Sequence, residues 1–344
     1  SNGDGIGDIP YNISGGSNQD HFPLMHPYGS ITNLDTGEIF LTIQDAINDY
    51  ETLDGHSIYV KKGIYYENLL VNKSINLIGE DRNTTVVDGS RISDVFYIST
   101  DGVNIRNFCI MNSSLEDWPL YGSGIEIDDF SNSKISNCVL FNNYYGIKIR
   151  GSLNNISNCE IYLNHKDGVR FTGYSNNLKC SNIYSNKLDG AYIDGFSSSH
   201  ISNCSIYSND YCGIHLDGTS NTDISNTNFF GNKYGIYIYP SSNNSIMDCD
   251  IQNNEIGIHI NALVSENNTI IDNKINYNEY SGVLLNHNSR FTIIKSNNIS
   301  SNNHHGIRII NSNVNNIEAN IISYNKWDGI YLAYSNNNTI IGNK

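Results

Sequence analysis

Carboxylates, tyrosines, histidines and an arginine recur in this sequence at fixed distances from a series of glycines. The glycines lie 22 to 25 residues apart, at positions 124, 146, 168, 190, 213, 235, 257, 282, 306 and 329. Two and four residues after four of these glycines, the chain places Arg170, Tyr192, Asp194, His215, Asp217 and Tyr237. If each unit is one layer of a stack, these side chains form one patch. Aromatic faces beside carboxylates and a guanidinium suit a glycan groove.

The patch allows three interpretations. Carboxylates on adjacent layers are the arrangement that glycan-cleaving enzymes use, and a catalytic group would consist of Asp194, Asp217, Arg170 and His215. Sugar binding without chemistry would use Tyr192, Tyr237, Arg170, Asp194 and Asp217. The third interpretation, which the alternating charges favour, is a solvated face that keeps the protein soluble.

Short strands must position these side chains. Each unit reads Gly-Ile-x-Ile, a Ser/Asn turn, Ile-x-Asn-Cys/Asn-x-Ile, and a second Asn-rich turn. Apolar residues alternate over only a few positions, which indicates strands, and a fixed period in the low twenties indicates a solenoid. We therefore predict an all-β fold, a right-handed parallel β-helix with one coil per repeat and columns spaced ~4.8 Å.

The chain divides into three predicted segments. Residues 1–29 are an extended Gly/Pro/Asp-rich segment, residues 30–95 form a capping helix and the first coils, and residues 96–344 are regular repeats. The helix would begin after an N-cap at Thr42, with Asp45 at its third position. Its apolar face would consist of Ile43, Ala46, Ile47 and Tyr50. Such a helix would cover the open first coil.

Cysteines occupy one slot of the repeat, which asparagine takes over further along. The column runs through Cys138, Cys159, Ser181, Cys204, Thr227, Cys249, Asn273, Asn297, Asn320 and Asn343. Stacked side chains point in parallel, which disfavours disulfides between neighbours. We predict buried free thiols that grade into a hydrogen-bonded asparagine ladder.

Calcium is the one cofactor that the sequence suggests. Asp4 and Asp8 lie in a Gly-rich stretch whose spacing is typical of calcium loops, but the downstream bidentate acid of a helix-loop-helix site is missing. A plain turn is the alternative. The histidines and methionines predict no further metal cluster, because His215 and His259 would lie two coils and about 10 Å apart.

Charge and composition restrict the partners. The net charge of -15 argues against nucleic acid. No run of about 18 apolar residues is present, so no membrane span is expected. Acceptor sequons for N-linked glycans favour a secreted or cell-surface protein, and they lie at Asn12, Asn72, Asn83, Asn112, Asn155, Asn203, Asn243, Asn267, Asn298 and Asn337.

Two stretches carry a family resemblance. TIQDAINDY followed by SIYVKKGIYYENLLVNKSINLIGE resembles the N-terminal cap and first coils of the pectin-lyase-like β-helix superfamily. The later repeats resemble the NosD-like and carbohydrate-binding/sugar-hydrolase (CASH) repeats of archaeal and bacterial surface proteins. The resemblance implies the fold and leaves the function open, because this scaffold hosts lyases, hydrolases, epimerases and non-enzymes. The Gly-His-Gly and Arg-x-Lys motifs of polygalacturonases are absent.

The order of the parts suggests assembly. The opening DGIGDIPYNISGG resembles a segment that closes such a β-helix at its C-terminal side, whereas the sequence stops in mid-repeat. Either further domains of a longer chain flank this one, or copies join head to tail. The contact would then involve Ile9, Pro10, Tyr11, Phe22, Leu24, Ile340 and Ile341.

We therefore predict a non-enzymatic surface module, structural or adhesive, that forms a filament or layer. The alternatives are a lyase, hydrolase or epimerase acting on uronic-acid glycans, and a glycan-binding module that carries out no chemistry.

Overall fold

Three sheets form the walls of a solenoid, and each regular coil adds one short parallel strand to each sheet. Only the start of the second sheet departs from this among the described strands, because Ile31–Asn33 pairs antiparallel with both Ile39–Phe40 and Ser57–Val60. The computed structural model describes residues 29–116, 121–195, 198–261 and 265–344, and the backbone of residues 11–12 and 19–20. Within these residues the predicted all-β parallel solenoid is confirmed. No helix among them combines the length and apolar character needed to cross a bilayer.

The first sheet carries the glycine-linked columns. Its described strands are Leu69–Val71, Phe96–Ile98, Ser123–Ile127, Tyr145–Ile149, Val169–Phe171, Ala191–Asp194, Cys212–Asp217, Tyr234–Tyr239, Ile256–Asn261, Val283–Asn286, Ile307–Ile310 and Ile330–Ala333. Alternate side chains point into the coil, where Ile193, Leu216 and Ile238 are fully buried. The residues between them point outward and form the candidate site.

The other two sheets complete each coil. The second consists of Ile31–Asn33, Ile39–Phe40, Ser57–Val60, Asn76–Gly79, Asn104–Arg106, Lys134–Ser136, Asn155–Ser157, Asn177–Lys179, His200–Ser202, Asp223–Ser225, Ser245–Met247, Thr269–Ile271, Ile293–Lys295, Asn316–Glu318 and Thr339–Ile341. The third consists of Gly63–Tyr65, Thr85–Asp88, Cys109–Met111, Val139–Phe141, Glu160–Tyr162, Asn182–Tyr184, Ser205–Tyr207, Asn228–Phe230, Asp250–Gln252, Lys274–Asn276, Asn298–Ser300 and Ile321–Ser323. Two short pairs remain, Tyr11–Asn12 with Gln19–Asp20 and Ser265–Glu266 with Ser289–Arg290.

The predicted capping helix spans Ile43–Asn48. The Thr42 hydroxyl accepts a hydrogen bond from the Asp45 N–H (3.0 Å), which confirms the N-cap. The buried face consists of Ile43, Ala46 and Ile47. Tyr50 was predicted on that face and this is wrong: the backbone leaves the helix at Asp49, and Tyr50 is 81% exposed.

Polar ladders fill the corners between the sheets. The predicted cysteine column is confirmed, with Cys138, Cys159, Cys204 and Cys249 buried as free thiols. Further along it, Asn297 Nδ2 donates to Asn320 Oδ1 at 2.9 Å. Two further columns were missed, one through Asn143, Asn164, Asn186, Asn209, Asn232, Asn254, Asn278, Asn302 and Asn325, the other including Asn154, Asn176, Asn244, Asn268, Asn315 and Asn338. These amides satisfy backbone groups at corners where no sheet partner is available.

The repeated glycine is required by the close stacking of the coils. A Cβ atom on Gly190 would lie 2.7 Å from the carbonyl oxygen of Gly213, and one on Gly213 would lie 2.5 Å from that of Gly235. Both distances are shorter than a carbon–oxygen contact allows. Any other residue would force neighbouring coils apart at the start of the first sheet.

Candidate functional site

The first sheet brings the predicted patch together. Tyr192 is in register with Arg170 on one side and His215 on the other. His215 is followed by Tyr237, and Tyr237 by His259. We call the rings of this surface the ring region, which comprises Tyr192, Tyr211, His215, Tyr234, Tyr237 and His259.

The rings of this region lie close together along the solenoid axis. The centroid distances are 4.9 Å from Tyr192 to His215 and 5.0 Å from His215 to Tyr237. The next step, from Tyr237 to His259, is 5.2 Å. At the other end the Arg170 guanidinium lies 4.1 Å from the Tyr192 centroid. The result is a half-buried aromatic strip across consecutive coils.

Asp194 and Asp217 lie beside the strip, and they are register partners on adjacent strands, as predicted. The Tyr192 hydroxyl donates to Asp217 Oδ2 at 2.6 Å. Burial and this bond raise the pKa of the Tyr192 phenol, so it remains a proton donor. Asp217 is therefore held in place by a tyrosine.

His215 is held by an aspartate that the sequence did not indicate. Its Nδ1 lies 3.1 Å from Asp189 Oδ2, and the Asp189 side chain is 1% exposed. Within the described residues, His215 Nε2 is buried without a hydrogen-bond partner. If Asp189 is ionised, it accepts the Nδ1 proton and leaves Nε2 with a lone pair.

His259 has both ring nitrogens buried with no hydrogen-bond partner in the described part of the chain. Burial, with a smaller contribution from His287, lowers the pKa of His259 to about 4. The imidazole is thus neutral at pH 7. Unpaired buried donors and acceptors carry a free-energy cost.

Arg170 is anchored rather than free. Its Nη1 lies 3.1 Å from Asp167 Oδ2, and the Asp167 side chain is fully buried. Burial and the neighbouring Asp189 raise the pKa of Asp167 to about 6, against the opposite effect of Arg170. The pair fixes the guanidinium over the Tyr192 ring.

A second polar group on the same sheet lies two to four coils from Tyr192 toward the N-terminus. We call it the ion-pair region, and it comprises Asp94, Glu126, Asp128, Lys148 and Arg150. Glu126 Oε1 accepts from Lys148 Nζ and pairs with Arg150 Nη2, both at 2.9 Å. Arg150 Nε also pairs with Asp128 Oδ1 at 2.7 Å. Here every cation has a carboxylate.

Asp189, Cys212 and His215 form a cluster that sequence reasoning missed. One potential ligand atom from each lies within 4.8 Å of the other two. The prediction that the side chains form no metal cluster considered only histidine and methionine, so it did not weigh Asp189 or Cys212. The overlooked signal is the residue just before the repeated glycine. In three successive repeats this residue is Asp167, Asp189 and Cys212.

The third sheet carries an aromatic ladder that was also not predicted. Centroid distances of 4.5 to 5.3 Å join Phe141, Tyr162, Tyr184, Tyr207 and Phe230. Because the rings stack face to face, their faces cover one another. We therefore interpret the ladder as side-chain packing that stabilises the fold. The signal for it is an apolar residue followed by an aromatic one at the end of five consecutive third-sheet strands, from Val139–Phe141 to Asn228–Phe230.

The predicted sequons differ in exposure. Asn112 and Asn155 are half-buried, whereas the exposed acceptors are Asn72, Asn83, Asn203, Asn243, Asn267, Asn298 and Asn337. The side chain of Asn12 lies outside the described residues. Which of these asparagines carries a glycan stays a prediction.

The predicted calcium and assembly residues are described only in part. Asp4, Asp8, Ile9, Pro10, Phe22, Leu24 and the Tyr11 side chain lie outside the described residues. Ile340 and Ile341, on the last coil, are 45% and 60% exposed. Calcium binding and the head-to-tail contact stay predictions.

The chain belongs to the right-handed β-helix family. The family model described as "Right handed beta helix region" matches residues 145–293 and 262–344. This confirms the handedness predicted from the repeat and the β-helix resemblance of the sequence.

Known proteins similar to this chain are a surface protein and several glycan-processing enzymes. The cell surface glycoprotein of Methanothermus fervidus is 30% identical over 113 residues, which cover 27% of this chain and 19% of that protein. The A-module of the Azotobacter vinelandii mannuronan C-5 epimerase AlgE6 superposes with a TM-score of 0.77 at 18% identity, covering 88% of this chain and 93% of the module. The catalytic domain of a GH87 α-1,3-glucanase gives 0.68 at 14% identity, covering 88% and 67%. At these identities the two structures show the fold alone.

Proposed function

We propose that this chain is a cell-surface β-helix module, structural and adhesive, that holds a glycan along the ring region. The observation that carries the proposal is the strip from Tyr192 to His259, with unpartnered imidazole nitrogens beside Asp194 and Asp217. Three strand steps make the strip about 14 Å long, enough for a short oligosaccharide. The similarity to a surface glycoprotein supports the location.

The chemistry of the strip suits sugars. Ring faces pack against the apolar faces of a pyranose, while the carboxylates of Asp194 and Asp217 pair with its hydroxyls. The rigid sheet supplies this surface preformed, so little conformational entropy is lost on binding.

Affinity electrophoresis in gels that contain single polysaccharides tests the proposal. A panel of neutral and uronic-acid polymers, with and without calcium, should include one that retards the wild type. Tyr237→Leu should lose at least about tenfold in affinity, because it removes a central ring. Leucine suits this column, since Leu284 occupies it two coils on.

The matched control is Tyr50→Ala, which removes an 81% exposed tyrosine beside the capping helix. It should bind like the wild type. Retardation by no polymer of the panel, or equal loss in both variants, would contradict glycan binding at the ring region.

A polysaccharide-active enzyme is the second candidate. The observation that favours it is the His215 ring, which Asp189 orients so that Nε2 stays unpaired beside the strip. Such a nitrogen is suited to proton transfer. Turnover of a uronic-acid polymer that disappears in Asp194→Asn/Asp217→Asn would establish this candidate instead.

Assembly belongs to the same proposal. Residues 1–29 of one copy would contact the coil of the next copy that carries Ile340 and Ile341. Such a contact is heterologous and extends into a filament when it does not close. Sedimentation at high protein concentration should show concentration-dependent mass, and a strict monomer would contradict this part.

A further inference from the structure

We propose that Asp189, Cys212 and His215 form a site for one transition-metal ion of the zinc class beneath the ring region. This inference goes beyond the proposed function, and it does not depend on that function because its test uses metal binding and no glycan. His215 belongs to the ring region, whereas Asp189 and Cys212 lie buried beside it. It rests on the placement of a carboxylate, a thiol and an imidazole on two adjacent coils.

The three side chains are held by the backbone. Cys212 and His215 lie on one strand, Cys212–Asp217, and Asp189 stands just before the neighbouring strand, Ala191–Asp194. The Cys212 N–H donates to Asp189 Oδ1 at 2.9 Å, which fixes the carboxylate. His215 Nδ1 lies 3.1 Å from Asp189 Oδ2.

Burial distinguishes this cluster from the exposed acidic groups of the surface. Asp189 is 1% exposed and Cys212 is fully buried. The His215 side chain is 14% exposed, with its Nε2 unpartnered in the described chain. Burying these groups next to one another costs free energy, which a bound cation would offset.

The ligand types select the metal. Calcium and magnesium take oxygen ligands, whereas a set of one thiolate, one imidazole and one carboxylate suits zinc or cobalt. Ligand atoms of a tetrahedral zinc site lie roughly 3.5 Å apart, given bonds of 2.0 to 2.3 Å. The present atoms lie within 4.8 Å of one another, so side-chain movements of about 1 Å would complete the site.

Binding has a defined proton balance. The Cys212 S–H bond breaks, the sulfur binds the metal, and one proton leaves to the solvent. Three protein ligands leave a fourth position open, on the side bordered by the rings of Tyr192, Tyr211 and Tyr237. Zinc sites with an open position hold a water or a ligand there.

Cobalt titration of the tag-free, chelator-treated protein tests the site. A stoichiometric thiolate-to-cobalt charge-transfer absorption, displaced by zinc, is expected. Cys212→Ser should abolish the charge-transfer absorption. His215→Gln should weaken cobalt binding by more than about a hundredfold, because losing a residue that only hydrogen-bonds to a metal ligand costs about ten- to hundredfold. Cys180→Ser, which removes the exposed thiol, should leave the titration unchanged.

X-ray absorption of the zinc-loaded wild type adds a measurement that needs no variant. One sulfur at about 2.3 Å with nitrogen and oxygen ligands is expected. Zinc should also raise the melting temperature of the wild type and not that of the two ligand variants. Absence of a sulfur ligand, or a cobalt band that survives in Cys212→Ser, would overturn the site. Cobalt absorption, X-ray absorption and the melting temperature are all measured without a glycan. Failure of the metal site is therefore distinct from failure of glycan binding.

Discussion

The ion-pair region and the ring region occupy equivalent positions of the same sheet. They differ in whether their buried polar groups are paired. In the ion-pair region Lys148, Arg150, Glu126 and Asp128 satisfy one another within 2.7 to 2.9 Å. In the ring region, three buried nitrogens have no hydrogen-bond partner among the described residues: Nε2 of His215 and both ring nitrogens of His259. One region pairs its own charged groups, and the other contains buried nitrogens with no partner among the described residues.

The backbone does not cause this difference. Glu126 and His259 stand at the same offset from their glycines, in one unbroken register. The side chains alone decide whether a coil contributes to stability or presents unsatisfied groups. Unsatisfied buried groups are expected where a protein trades stability for binding.

Removing the central carboxylate of the ion-pair region should destabilise the fold strongly. Glu126→Gln leaves Lys148, whose side chain is 9% exposed, without its carboxylate. We expect the free energy of unfolding to fall by about 3–5 kcal/mol, because a buried charge loses its partner. Urea unfolding followed by circular dichroism measures this. Asp250→Asn is the control: its partner Lys274 is 53% exposed, so the loss should stay below about 1 kcal/mol. Equal losses would show that the region is not a buried network.

The two regions should also give stability profiles of opposite slope against pH. Burial and Glu126 raise the pKa of Asp94 from 3.8 to about 7, against the effect of Lys148, so the folded form binds this proton more tightly. Its contribution to the free energy of unfolding therefore decreases as pH rises from about 4 to 7. Burial lowers the pKa of His259 from 6.5 to about 4, so its contribution decreases as pH falls through that window.

Urea unfolding between pH 4 and 7.5 separates the two slopes. Asp94→Asn should remove the decrease toward neutral pH, and His259→Leu should remove the decrease toward acid. The double variant should show both changes, since the two residues lie in different regions of the sheet. Profiles that stay parallel to the wild type would contradict the assigned titrations.

The buried imidazole of His259 should contribute little to stability at neutral pH. At pH 7, His259→Leu should leave the free energy of unfolding unchanged or raise it by up to about 1 kcal/mol, because it removes two unsatisfied nitrogens. Leucine already fills the next position of the column at Leu284. Glycan affinity should fall in the same variant. His200→Leu, on the second sheet, should change neither property, and a clear loss of stability in His259→Leu would show that the imidazole is paired.

Much of the architecture follows from the sequence because its repeat is regular. Strand alternation predicts that Asp194 and Asp217 are neighbours, and their register confirms it. The column from Cys138 to Asn343 is predicted for the same reason. The other two asparagine columns carry an equally regular signal and were overlooked.

The cluster around His215 could not be predicted in this way. Cys212 and His215 are three residues apart, so simple alternation places them on opposite faces of a flat strand. Their proximity depends on how the chain enters the strand at Gly213, which periodicity does not describe. The prediction that Tyr50 lies on the buried helix face was wrong for a related reason, because helical periodicity does not show where the helix ends.

The glycine column has a consequence for how such a molecule can change over evolution. From Gly124 to Gly306, each coil meets the next through a backbone contact that tolerates no side chain, and this contact fixes the spacing of these coils at that corner. Duplication or loss of an entire coil outside the ring region would then alter only the reach of the rod, leaving the neighbours of His215 in place. Length and recognition can vary independently in this architecture.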